Sequence, residues 1–230
     1  MDSPRAKLLE AVRNYRMPEA AIDLLNANPP LIVAGTSGSG KDAIEEKIQQ
    51  ISDLRHVVTH TTRPMRRGEV NGKDYWFVSE DEMLKLIESQ ALIEVKYIHN
   101  RQVSGPSLVA YKAILSAGNK PMLRIDIQGI KELRIQVEDI RPYFILPPSF
   151  EVWMERLDSR GHMSHVEKVH RMHSARDELK AAVNDEHFIL IVNDEIGRVA
   201  QEIVDGVTDI PSQYRNRQLA TRLIDHISSF

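Results

Sequence analysis

Apolar positions along the chain recur with two periods, and their order predicts strands alternating with helices. Leu8, Leu9, Val12 and Tyr15 fall at helical spacing behind Ser3-Pro4, a cap followed by a first-turn proline. Pro18 opens a second short helix carrying Ala21, Ile22, Leu24 and Leu25, which Asn28-Pro29-Pro30 ends. Leu31–Ala34 then reads as a short buried strand. Further strands are expected at Val57–Thr59, Tyr75–Val78, Leu92–Ile98, Met122–Ile127, Tyr143–Leu146 and Phe188–Val192. Helices are expected from Lys41 onward, from Ser79 with Glu82 completing a capping box, and over 106–118. Others follow over 130–137, from the cap Ser149 to Gly161, over 164–183 and over 196–206. The tail beyond Pro211 places Leu219, Leu223 and Ile227 on one helical face. This alternation implies an α/β fold, a parallel sheet with helices on its faces.

The first strand runs directly into Gly35-Thr36-Ser37-Gly38-Ser39-Gly40-Lys41, a G-x-x-x-x-G-K loop that opens a helix. Glycines at this spacing let successive backbone N–H groups point at one centre, and the helix adds its positive N-terminal end. Such a loop cradles nucleotide phosphates, with the lysine reaching the β- and γ-phosphates. The residue that usually follows is Ser or Thr, for Mg²⁺; here it is Asp42.

Composition narrows the picture. With 42% hydrophobic residues in 230, the chain builds an ordinary core. A formal net charge of −3 gives no global basic signature for nucleic acid. There is no Cys, so thiol catalysis and Cys-based metal sites are excluded. The pattern offers no 18-residue apolar run and no signal peptide, so a membrane partner is not expected and a cytoplasmic location is. His162, His165, His170 and His173 lie close in sequence. Without Cys or a matching carboxylate motif they read as surface imidazoles.

With these segments in place, the chain resembles guanylate kinase from about Leu31 to about Val207. The most specific stretch is Thr61 to Ser79, TTRPMRRGEVNGKDYWFVS, which is similar to that family's GMP-binding segment. Further matches are Ile93-Glu94, Ile125 to Gly129, Arg156 to Gly161, Arg171 with Ala175, and Ile191 to Asp194. The resemblance implies a phosphate-loop parallel sheet, a small β-rich monophosphate-binding subdomain at about 59–103 and a helical lid at about 151–176, within a domain spanning 29–207. Residues 1–28 and 208–230 would be helical extensions.

It also implies ATP-dependent phosphorylation of GMP or dGMP with Mg²⁺, in a monomer or homodimer whose partners are small nucleotides. Lys41, Arg63, Arg160 and Arg171 are then the catalytic candidates. The ATP-binding candidates are Gly35, Thr36, Ser37, Gly38, Ser39, Gly40, Lys41, Asp42 and Arg156. On the acceptor side, Arg63, Arg66 and Tyr75 would hold the GMP phosphate, since guanidinium groups grip phosphate oxygens in pairs. Glu94 and Asp126, with Thr59 nearby, would read guanine, whose N1–H and N2–H₂ donors suit a carboxylate. A carboxylate at Asp126 would equally serve as a cap for the helix that follows it.

Four positions depart from the family. Asp42 replaces Ser/Thr, Arg124 stands where an Asp is usual, and Val103 and Gly105 replace a Tyr and a Ser, with Ser104 adjacent. Asp42 and Arg124 would lie at the same edge of a parallel sheet. Either the carboxylate serving Mg²⁺ has moved to the loop, with Arg124 balancing it, or the two pair with one another and spoil the metal site. Gly-Lys-Asp also resembles the loop of ribose 1,5-bisphosphate phosphokinases, so that activity, a kinase for an unusual nucleotide, or a non-catalytic binding module are the alternatives.

Overall fold

The computed structural model describes residues 4–66, 68–98, 101–159 and 165–229. Arg160, Gly161, His162 and the cap Ser3 therefore lie outside the described residues, as does the side chain of His165. Helices α1 (Pro4–Asn14) and α2 (Glu19–Ala27) precede strand β1 (Leu31–Gly35) and α3 (Lys41–Ile51). Then come β2 (Leu54–His56), β3 (Thr59–Thr61), β4 (Trp76–Phe77), α4 (Glu80–Glu88), β5 (Lys96–Ile98) and β6 (Gln102–Pro106). The chain continues through α5 (Leu108–Ser116), β7 (Lys120–Arg124), α6 (Ile127–Gln136), β8 (Tyr143–Leu146) and α7 (Phe150–Asp158). It ends with α8 (His165–Val183), β9 (Ile189–Val192), α9 (Ile196–Asp205) and α10 (Ile210–Ser228).

Two sheets result, in the orders β2-β7-β1-β8-β9 and β4-β3-β6-β5. In the first, β1, β8 and β9 run parallel, with Val33 opposite Tyr143 and Tyr143 opposite Ile189. These strands are almost continuously apolar, as expected where both faces are covered. In the second, β6 is antiparallel to both β3 and β5. The chain divides into two compact units. One contains Met1–Pro30, Arg55–Leu123 and Lys131–Asp139; the other contains Leu31–Leu54, Arg124–Ile130 and Ile140–Phe230.

Several expected boundaries shift, and the strands expected at Tyr75–Val78 and Leu92–Ile98 shrink to Trp76–Phe77 and Lys96–Ile98. In place of the strand expected at Val57–Thr59 there are two, β2 ending at His56 and β3 starting at Thr59. The strand foreseen at Met122–Ile127 ends at Arg124. Asp126 starts α6 early, its Oδ1 accepting from Gly129 N at 2.7 Å. β6 was not foreseen at all, because Ser104-Gly105-Pro106 reads as loop. The glycine is what permits the strand: a Cβ at position 105 would lie 2.3 Å from the Glu94 carbonyl oxygen. The capping box at α4 forms as expected, with Ser79 Oγ and Glu82 Oε2 each accepting the other's backbone N–H.

In the second unit, α10 closes an edge. Gln213 accepts from Leu190 N at 2.9 Å and donates to Leu190 O at 3.1 Å, as a neighbouring strand would. Asn216 donates to the same carbonyl at 2.7 Å. Arg217 meets the carbonyls of Ala182, Val183, Asp185 and Phe188, which satisfies the end of α8 and the turn after it. Among the described residues no helix is long and apolar enough to cross a membrane.

Candidate active site

The glycine-rich loop, Gly35–Lys41, lies in the second unit between β1 and α3. Gly38 and Gly40 have φ of 84° and 94°, and a Cβ at Gly40 would lie 2.2 Å from Asn193 Nδ2. The loop is held from outside. Trp153, fully buried on α7, donates its indole N–H to Ser37 O at 2.7 Å. Asn193 Nδ2 donates to Ser39 O at 2.7 Å. Arg156 reaches Ser39 O at 3.3 Å and Asn193 O at 3.2 Å. Arg156, an ATP-binding candidate by resemblance, thus braces the loop through the loop's own carbonyls. Inside the loop, the hydroxyls of Thr36 and Ser39 are buried, with no hydrogen-bond partner among the described residues. Buried hydroxyls without partners are costly, and both of these lie in the glycine-rich loop.

Cations gather on this loop. Lys41 Nζ donates to the carbonyls of Gly35 and Thr36. Burial pushes the ammonium pKa down, while Glu178 and Asp42 pull it back up. Arg171 on α8 donates to Ser37 Oγ at 3.3 Å and pairs with Glu167 at 2.7 Å. Glu178, two turns further along the same face of α8, is raised to about 7, first by burial and further by Asp126, with Lys41 opposing.

Asp42 and Arg124 meet, Arg124 Nη1 donating to Asp42 Oδ1 at 2.6 Å, a contact that both arrangements expected of them share. The guanidinium also lies 3.4 Å from Glu45. Glu45 is 4% exposed, and burial raises its carboxyl to about 7. Neither Glu45 nor Glu178 stood out in the sequence, since both read as ordinary polar positions on amphipathic helices. Folded Glu45 keeps its proton to about pH 7, whereas the unfolded carboxyl ionises near 4.5. Stability that Glu45 contributes below pH 4.5 is therefore lost as pH rises towards 7. Relative to the unmodified chain, Glu45→Gln should gain about 1–3 kcal/mol between about pH 5 and about pH 8, read by urea denaturation at each pH.

The acceptor candidates Thr59, Arg63, Arg66, Tyr75 and Glu94 belong to the first unit. Arg63 forms a fork with Glu69, at 2.9 and 2.7 Å, and its guanidinium lies over the rings of Tyr75 and Phe77 at 5.0 and 5.3 Å. Glu69 also accepts from Arg66 N at 2.7 Å, so one carboxylate fixes the whole Arg63–Arg66 turn. Arg63 and Tyr75 are thus brought together, while the Arg66 side chain is exposed. The sequence signal for Glu69 is its place three residues after Arg66, which suits a turn-closing acceptor. Thr59 is nearly buried on β3. Val103 turns into an apolar cluster, and Ser104 donates to Thr61 Oγ1 at 2.8 Å rather than facing outward. Asp126, in the other unit, is exposed and serves as the cap described above.

The guanylate kinase family model matches residues 27–209. The chain belongs to the guanylate kinase family. It is 34% identical over 185 residues to a guanylate kinase of Rhodococcus jostii, covering 80% of this chain and 88% of that one. It is 35% identical over 189 residues to a guanylate kinase of Neisseria meningitidis serogroup A, covering 82% and 90%. A crystal structure of guanylate kinase from Anaplasma phagocytophilum superposes with a TM-score of 0.58 at 26% identity, covering 76% of this chain and 82% of that one. The chain is accordingly a nucleoside monophosphate kinase of the guanylate kinase type. The family match leaves α1 and α10 outside it.

Proposed function

We propose that the chain transfers the γ-phosphoryl group of ATP to GMP, giving ADP and GDP. The observation that carries this reading is the glycine-rich loop, with two buried hydroxyls at Thr36 and Ser39 that have no partner among the described residues and the Lys41 ammonium beside them. A phosphate chain would supply the acceptors those groups lack. An oxygen of the GMP phosphate attacks the γ-phosphorus while the bond to the β-bridging oxygen breaks, so ADP leaves as the new bond forms. Such transfer needs little covalent chemistry from protein, and catalysis is positioning plus charge. Gly35 to Gly40 hold the phosphate chain, and Lys41 and Arg171 stabilise charge on the moving group. Arg156 keeps the loop in shape. Arg160, Arg63, Arg66 and Tyr75 complete the set, the last three on the acceptor phosphate. Glu94 and Asp126, with Thr59, read the guanine donors.

Mg²⁺ takes oxygen ligands, mostly water and substrate phosphate with one or two carboxylates. Asp42 suits this set: its side chain is 62% exposed at the start of α3, although Arg124 holds one oxygen. When bound, the ion neutralises charge on the β- and γ-phosphate oxygens. Asp42 would hold it there, with Arg124 fixing the carboxylate. A serine hydroxyl can take the same place, so Asp42→Ser should leave kcat within about threefold. Complete loss of activity would show that the carboxylate itself is required.

The deciding experiment measures ADP formed from Mg·ATP with GMP, dGMP, AMP, UMP or ribose 1,5-bisphosphate as acceptor, with Lys41→Met as control. Selective turnover of GMP or dGMP, abolished in the control, is expected. Turnover of the sugar bisphosphate alone, or GMP binding with no turnover of any acceptor, would overturn the reading.

A further inference from the structure

The segment that carries Glu94 is held by a helix that the family match does not include. Helix α1 presents Leu8, Ala11 and Val12 along one face, and Tyr15, the residue after it, packs against the same cluster. Leu8, 1% exposed, enters a cluster with Met83, Ile87, Leu92, Val95 and Val103, so α1 shares one core with residues on both sides of Glu94. At one end of the helix, Arg5 binds Glu80 at 2.7 Å and the Tyr97 hydroxyl at 3.1 Å. At the other, the Tyr15 hydroxyl donates to Leu92 O at 2.5 Å.

Backbone restraints then converge on Glu94. Ile93 N donates to Pro106 O at 2.9 Å. Gly105 allows β6 to lie against the Glu94 carbonyl. Leu92 is fully buried, and Tyr15 supplies a donor to its carbonyl from outside the sheet. A buried carbonyl deprived of that donor would have to turn in search of another. The rotation would be felt two residues on, at the Glu94 side chain.

We propose that Tyr15 is a positioning residue for acceptor recognition, fixing the 92–95 backbone so that Glu94 meets the guanine edge. The proposal rests on the reading that Glu94 binds GMP. It gives α1 a role in specificity rather than in simple coverage of the core.

The test uses the full chain and the coupled ADP assay, at a temperature where circular dichroism shows every variant folded. Tyr15→Phe removes one hydroxyl. It should raise the GMP KM about 3- to 10-fold, the scale of one hydrogen bond, and leave the ATP KM within about twofold. Glu94→Gln should raise the GMP KM on its own, and Tyr15→Phe added to it should cause no further rise, because the two act through one contact. Leu8→Val, which trims the same cluster and keeps the phenol, should lower Tm with the GMP KM unchanged. If Tyr15→Phe lowers Tm and moves neither KM, or if the two changes are independent, the residue is only structural and the proposal fails. If Glu94→Gln leaves the GMP KM unaltered, the assignment of Glu94 is wrong and the proposal falls with it. If Glu94→Gln raises it and Tyr15→Phe does not, the assignment stands and the proposal alone falls.

Discussion

Lys41→Met should lower kcat for phosphoryl transfer by about 10²–10³-fold, the cost of removing one preorganised charge from a developing transition state. Methionine keeps the length and the apolar stem, so the loss isolates the ammonium. That ammonium is buried, and its pKa is depressed mainly by burial, yet Glu178 and Asp42 support its charge. It rests on the carbonyls of Gly35 and Thr36, inside the loop itself. The charge is thus already placed, and little reorganisation is needed when a phosphate arrives. The ATP KM should change less than kcat, because the backbone cradle and the two hydroxyls remain. A kcat within about threefold of the unmodified chain would remove Lys41 from the reaction.

Arg171→Ala should cost about 10²-fold in kcat, for the same electrostatic reason. Its guanidinium sits on Ser37 Oγ with Glu167 steering it from one helical turn away. Arg171→Lys should recover part of the loss, since a point charge replaces a planar fork that grips two oxygens. A thermal shift with kcat intact would mark Arg171 as a strut between α8 and the loop. Both variants can be read in one assay, with Tm followed in parallel.

The features legible in the sequence are those fixed by local spacing. The G-x-x-x-x-G-K loop, the capping box at Ser79 and Glu82, and the amphipathic α1 and α10 all declare themselves within a few residues. The Asp42–Arg124 relation was legible as two alternatives, because strand-end geometry puts the residues near one another but cannot choose a partner for either. What was not legible depends on residues far apart in sequence. The acidity of Glu45 and Glu178 is set by burial, which no periodicity reports. β6 carries Gly105 and Pro106, which local propensity assigns to a loop. It is a strand because Thr59–Thr61 and Lys96–Ile98 pair with it from both sides. The contacts of Arg156 with the carbonyls of Ser39 and Asn193 are of the same long-range kind, since only the fold brings those residues to it.

The amide clasp of Gln213 and Asn216 on Leu190 bears on the order in which the chain is made. Strand β9 is the margin of its sheet, and it leaves the ribosome before the residues that cover it. Until positions 213–217 emerge, Leu190 offers an open N–H and C=O to any extended segment nearby, the usual opening for edge-to-edge association. The last helix is therefore a closing piece. A nascent or prematurely ended chain lacking it would carry the same loop and the same strands, yet with a margin prone to recruiting a foreign strand.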